Sequence, residues 1–515
     1  MAHGQGLIAD HTQLPELEDR QVEAARGDAR PAEDSLLSLL GDIEKAPPRP
    51  AAYLHTLERL RKPILLAQEN LAKRFVGKPL PLDDVESAAA IRALDLWIAV
   101  LRGYRKLLGE AISGRHPDLR ASLALLCQRA LACTSELIVS KYLARREIEG
   151  GYWRSLHEAY AVAEANGVAA SKVADVHHDA TPTSAYVEPL LMYIAGPYGL
   201  SIQDFVWLRR WVVPWAEKAQ LARQAPQQGG YAVDLAGLCG PQWMRPGAHT
   251  FRFLDLTGVS SSVKKRLRRL EEGVDPEALG LGRDCTPRAA ENLLRALGHA
   301  WLEPPAAGVF PRAGAPSPTL LASGFASIHR ALSENSFQVS GKVGYSYGEA
   351  DRLKTLQLAY EAGANWESRL PGVENWERFE ESPKEFRLRR KEPGARLAFR
   401  QLVALRPRGA RQFILCELRS LCEGADRTLT IAARPLPGIP KTCTVKAMDS
   451  GTQQSAHALM LPAGQGLPAA FLLPTGWYRS GREIEVRVGG HASRVRLSAL
   501  LDRGFDYERV QTSAL

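Results

Sequence analysis

The chain has 515 residues, 45% of them hydrophobic, and a formal net charge of +9. That length and apolar content supply cores for two to four domains. The seven cysteines are scattered with no CxxC pair, which fits neither a disulfide framework nor common zinc spacings, and no run approaches the roughly 18 uninterrupted apolar residues of a membrane span.

The opening MAHGQGLIADHTQLPELED lacks the basic start and apolar run of a signal peptide, so a reduced cytoplasm is the expected compartment. Residues 1–50 hold ten acidic and five basic residues and end in Ala46-Pro-Pro-Arg-Pro50, an acidic leader expected to be disordered apart from a short helix at Asp34–Leu40. A helical bundle is expected over 51–170. Leu54, Leu57, Leu60, Ile64, Leu71 and Phe75 form one stripe, with Gly77-Lys-Pro79 as the stop. Pro81-Leu-Asp-Asp84 caps a second helix, a third runs from about Asp118 to Ile148, and a fourth spans Tyr152–Ala165.

A second, mostly helical region with a few strands is expected over 184–340. Trp207, Trp211 and Trp215 recur every four residues on one helix face, the spacing of a packed core stripe. Tyr231–Leu235 and Thr250–Asp255 read as paired strands, Ser260–Glu272 and Pro287–Trp301 as helices, Thr319–Ser323 as a strand and Phe325–Ser333 as a short helix. Residues 341–373 read as a linker.

From Glu374 the pattern changes. Short apolar runs broken by Pro and Gly follow, several alternating apolar with charged residues as in Glu483-Ile-Glu-Val-Arg-Val488. They predict a small antiparallel β-barrel over 374–510. The fold class is therefore multidomain α + β, helical regions followed by a C-terminal barrel. From Glu374 onward the chain carries 23 Lys+Arg against 15 Asp+Glu, whereas the rest is nearly neutral. A basic module on a neutral body points to an anionic partner, or to an arginine-rich surface without one.

Residues that could carry chemistry are few. His177-His178-Asp179 has no third or fourth ligand at helical spacing, phosphate-binding glycine loops are absent, and no GxSxG marks a nucleophile. No catalysis and no metal are expected. The basic run Val263–Arg269 reads as a solvated helix face. What remains is Ser382 followed by Arg387, Arg389, Arg390 and Lys391. If Phe386-Arg-Leu-Arg is a barrel strand, Phe386 and Leu388 face inward while Arg387 and Arg389 share the outer face, spaced to grip phosphates or a guanine edge.

Glu380-Glu-Ser-Pro-Lys-Glu-Phe386 resembles a degenerate form of the Asp/Asn-x-Ser-x-x-Gly motif that enters the barrel of PilZ domains, bacterial receptors for cyclic di-GMP. Ser382 matches, Glu380 stands at the Asp/Asn position and Glu385 where glycine belongs. Segments such as Tyr53–Leu60, Lys78–Leu82, Tyr231–Leu235, Phe251–Asp255 and Pro474–Tyr478 are similar to large bacterial proteins that join a helical body to a PilZ-like module. The resemblance implies a non-enzymatic signalling regulator or adaptor, with cyclic di-GMP as the ligand and a protein partner in motility, pilus or exopolysaccharide control. It places the ligand at Ser382, Arg387, Arg389 and Arg390. The Arg-x-x-x-Arg pair that precedes the PilZ barrel is missing, with only Arg352, Lys354, Arg369 and Arg378 upstream, and Glu385 sets a negative charge where phosphates approach. Altered or lost nucleotide binding is therefore expected. Two alternatives stay open: a nucleic-acid-binding protein using the basic barrel and Lys264–Arg269, or a helical protein–protein scaffold.

Overall fold

The computed structural model describes residues 32–515 except 175–178, 225, 228, 245–250, 304–315, 334–344, 347–370, 382–384, 449–453 and 466–468. The helical body begins with α1 (Ala32–Lys45), which contains the expected Asp34–Leu40 segment. Leu36, Leu40 and Ile43 recur on one side of it and are buried against the body, so this part of the acidic leader is a packed helix. Next come α2 (Pro50–Phe75) and α3 (Asp84–Ser113). Asp83 and Glu86 form a reciprocal capping box at the start of α3, and Gly114 in the left-handed region ends it.

The third expected helix ends early. A single turn at Pro117–Arg120 precedes α4 (Leu123–Leu143), and Arg145 turns the chain at φ 52° before Gly150 is reached. α4 is long and apolar enough to cross a membrane, but it is mostly buried among α3, α5 (Gly150–Ala165) and α6 (Pro182–Ile194), which accounts for its composition as core. In α7 (Ile202–Ala216) the three tryptophans form the expected core stripe. The indole of Trp207 donates to Asp284 Oδ2 at 2.9 Å, that of Trp211 donates to the Leu281 carbonyl at 2.9 Å, and Trp215 meets Trp301 edge-on. Trp207 and Trp211 can be core because neighbours accept from their indole N–H groups, whereas the buried Nε1 of Trp215 has no hydrogen-bond partner among the described residues. A four-stranded sheet follows, in the order β1 (Gln220–Ala222), β4 (Phe251–Asp255), β2 (Gly230–Asp234), β3 (Gln242–Met244). It packs beside α8 (Thr257–Glu271) and α9 (Pro287–Leu302).

The barrel expected at the C-terminal end is present, and the described residues hold two of them. The first closes in the order β9, β10, β7, β6, β5, β8, from β5 (Ser317–Ser323), β6 (Val373–Glu381), β7 (Phe386–Arg390), β8 (Leu402–Pro407), β9 (Ile414–Glu423) and β10 (Leu429–Pro435). The second closes in the order β11, β12, β13, β16, β15, β14, from β11 (Lys441–Ala447), β12 (Ser455–Leu461), β13 (Ala470–Pro474), β14 (Glu483–Val488), β15 (His491–Arg503) and β16 (Tyr507–Ala514). All strand pairs within the barrels are antiparallel. Closure removes free edges from both.

The units are welded at two seams. At the first, Leu80 and Leu397 exchange both backbone hydrogen bonds at 2.7 Å, and Arg396 reaches back to the Pro79 carbonyl, Asp83 and Glu86. A further link between the helical body and the first barrel comes from Glu423 N, which donates to the Arg145 carbonyl, and Glu147 N, which donates to that of Glu423. The apolar core is continuous across this seam, running from the bundle through Leu397 into Phe386, Leu388, Leu405 and Ile431. At the second seam α10 (Phe325–Ser333) wedges between the barrels, burying Ile328, Ala331 and Leu332 against Leu402, Leu459 and Leu472.

Candidate functional site

The Arg-rich strand β7 lies between β6 and β10 in the first barrel. Its alternation sets its chemistry. Phe386 and Leu388 are fully buried inside, and Arg387 and Arg389 project from the outer face. Arg390 shares the inner face with Phe386 and Leu388 and is 4% exposed. The structure thus brings Arg387 and Arg389 together and sets Arg390 apart from them. Ser382 lies outside the described residues.

Each arginine meets a glutamate. Arg387 Nε donates to Glu385 at 3.0 Å and its NH1 to Glu380 at 3.5 Å. Arg389 Nε donates to Glu377 at 2.6 Å, with its guanidinium 5.8 Å from the Phe379 ring. Arg390 pairs with Glu374, donates to the Ala395 carbonyl at 3.1 Å and lies 4.7 Å over Trp376. Gly394 permits that last arrangement, because a Cβ there would stand 2.2 Å from the Arg390 guanidinium. A bidentate or stacked guanidinium of this kind is a structural clasp.

Electrostatics follow from the pairing. The hydrogen bond from Arg389 holds the Glu377 carboxyl below its ordinary range. Burial lifts Glu380 above it, with Arg387 pulling the other way and Glu385 adding to the rise. An anion approaching Arg387 must displace carboxylates already in place, and Glu385, at the motif's glycine position, is one of them.

The glutamates of β6 were not legible as partners. Their spacing 374, 377, 380 does not follow strict strand alternation, and a register shift between Arg378 and Glu380 is what puts Glu377 and Glu380 opposite Arg389 and Arg387. Elsewhere, His177 and His178 lie outside the described residues. Among the described residues no group of three His, Cys, Asp or Glu side chains converges as a metal site. In the α8 run, Lys264 and Lys265 are exposed, while Arg268 and Arg269 approach Glu272 at 3.8 and 3.6 Å.

Comparison with known proteins adds two findings. The family model described as the cyclic-di-GMP receptor FimW, N-terminal domain, matches residues 22–227, which take in α1 to α7. The model of the FimW C-terminal β-barrel domain matches residues 443–515, nearly all of the second barrel. No curated protein and no solved structure matches the chain. The first barrel and the α8–α9 region fall in the interval between the two matches. With both terminal domains of one family matched in order, over more than half of its length, the chain belongs to the FimW family.

Proposed function

We propose that this protein is a non-catalytic receptor and adaptor in cyclic di-GMP signalling, acting in the cytoplasm by binding alone. The observation that carries the reading is the pair of matches to a family described as a cyclic-di-GMP receptor, at both ends of the chain. The ligand's seat in this reading is the outer face of β7, with Arg387 and Arg389 as phosphate grips and Ser382, which precedes the strand in sequence, as a further ligand contact. Arg390 contributes from behind by holding Glu374 and the 391–395 loop in place.

Because Glu377, Glu380 and Glu385 already occupy the guanidiniums, binding is weakened relative to a face with free arginines. Occupancy exchanges carboxylate for phosphate and so loosens β6 from β7. The first barrel shares its core with the helical body, which supplies the route by which such a change reaches a protein partner on the body's surface. Many cations of the barrels are held in ion pairs, as at Arg396, Arg400, Arg487, Arg496 and Arg503, which counts against a nucleic-acid surface at those positions.

The test is calorimetric titration of cyclic di-GMP into the full-length protein and into the Arg387→Ala/Arg389→Ala double variant. Saturable binding in the first, lost in the second, is expected. Equal affinity in both removes the β7 seat, and no heat in either removes the ligand.

A further inference from the structure

The strongest unassigned feature lies in the helical body, at the junction of α7 and α8. There Lys218, Ser262, Lys265, Arg266, Arg269 and Leu279 help to line a cleft of about 720 Å³. Its origin is readable in the chain. Gly258, Ser261 and Ser262, Lys265 and Arg266, Arg268 and Arg269 succeed one another at three- and four-residue steps, so α8 turns one polar, cationic face toward the end of α7. Gly258 lets the two elements meet: a Cβ there would stand 2.5 Å from the Lys218 carbonyl.

The cations are held in place by neutral groups. Arg266 donates from Nε to the Leu279 carbonyl at 3.1 Å and from NH1 to Ser262 Oγ at 2.5 Å, and it lies 5.6 Å from the Trp215 ring. Lys218 Nζ donates to the same Ser262 hydroxyl at 3.0 Å. Among the described residues Lys218, Lys265 and Arg266 have no carboxylate within ion-pair distance, and the two outer arginines share only Glu272, at 3.6 Å or more. Burial, then Arg266 and Lys265, depress the pKa of Lys218, and burial depresses that of Arg266. A preorganised cluster of like charges persists at a cost that an anion would relieve. The contrast with β7, where a glutamate meets each arginine, is direct.

We infer that this cleft is a binding site for a small ligand carrying two or more phosphates. Arg266 grips its floor beside Ser262, while the exposed Lys218, Lys265 and Arg269 reach it from the rim. The volume exceeds what one inorganic phosphate fills and falls within the range of nucleotide-sized sites. The loop carrying Ala278 and Leu279 walls one side of this half-open cleft. This site stands apart from the β7 seat, although cyclic di-GMP, with its two phosphodiester groups, is one ligand that carries two phosphates.

The experiment titrates inorganic pyrophosphate, a nucleoside diphosphate and cyclic di-GMP into three full-length proteins: unaltered, Lys265→Ala/Arg269→Ala, and Arg387→Ala/Arg389→Ala. Both residues of the rim variant are exposed, and circular dichroism verifies its fold. The expected result is saturable binding of at least one probe, weakened tenfold or more by the rim variant and unchanged by the β7 variant. If that probe is cyclic di-GMP, the cleft is upheld and the β7 seat fails. If cyclic di-GMP responds only to the β7 variant while no other probe binds, the cleft fails and the β7 seat stands. No phosphate probe bound at millimolar concentration, equal affinity in the rim variant, or binding only of an oligonucleotide with steep salt dependence each overturns the assignment.

Discussion

Arg400 offers a sharp test of how the barrels are joined. It sits just before β8 at φ 61°, a backbone conformation that costs a non-glycine residue ~1 kcal/mol. Its side chain spans the second seam, with Nε on Glu417 Oε1 at 2.9 Å and NH2 on both oxygens of Asp502 at 2.7 Å. Burial pushes the Glu417 carboxyl upward, and the hydrogen bond from Arg400 with the charge of Arg419 more than reverses this, so it lies below its ordinary range. Removing the guanidinium leaves Glu417, 5% exposed, with Arg419 and the Tyr507 hydroxyl as partners. The charge-assisted bond to buried Glu417 contributes ~2 kcal/mol, and the half-exposed Asp502 pair adds at most ~1 kcal/mol. Arg400→Ala should therefore destabilise by ~2–3 kcal/mol. Arg400→Gly loses the same contacts but relieves the backbone, so it should be milder by ~1 kcal/mol. Urea unfolding followed by tryptophan fluorescence measures both, read at the transition that involves the second barrel. Midpoints unchanged in both variants, or a glycine variant less stable than the alanine one, would refute the argument.

Other consequences are equally concrete. Asp506 accepts from Leu402 N at 3.0 Å, and burial lifts its carboxyl to about 6 against 3.8 when free. The native state then holds this proton more tightly than the unfolded chain, so its contribution to stability falls as pH rises from about 4 to about 6, by at most ~3 kcal/mol, and is level above. Asp506→Asn should flatten that slope and leave stability at pH 7 equal or higher; a slope that persists in denaturation curves sinks the assignment. Leu388→Ala removes a fully buried side chain from the first barrel and should cost ~2–5 kcal/mol in chemical denaturation, with a loss under ~1 kcal/mol contradicting the packing described. Protonating Glu380, whose pKa burial raises, takes a competitor from Arg387, so cyclic di-GMP affinity should strengthen as pH falls from 7 toward 5. Calorimetry at those two values decides it, and weaker binding at the lower pH would count against the β7 seat.

Features that rest on near neighbours are legible in the chain. The Asp83–Glu86 capping box, the four-residue tryptophan step of α7 and the Phe386/Leu388 alternation of β7 each involve residues a few positions apart, whose placement follows from one helix or strand period. The family resemblance around Glu380–Phe386 and across the body was legible for the same reason. Tertiary structure decided the rest. Thr319–Ser323 reads as an isolated strand, yet the strand Ser317–Ser323 that contains it pairs with Val373–Glu381 and Leu402–Pro407 and so belongs to the first barrel. No local pattern says which edges a strand will find, since backbone donors and acceptors are the same in every strand and only closure with a filled interior selects among pairings. The fate of charge is set in the same way. The glutamates of β6 quench the arginines of β7 because a register shift lines them up, whereas Lys265 and Arg266 of α8 meet no carboxylate among the described residues, and the side chain set beside them just after α7 is another lysine, Lys218.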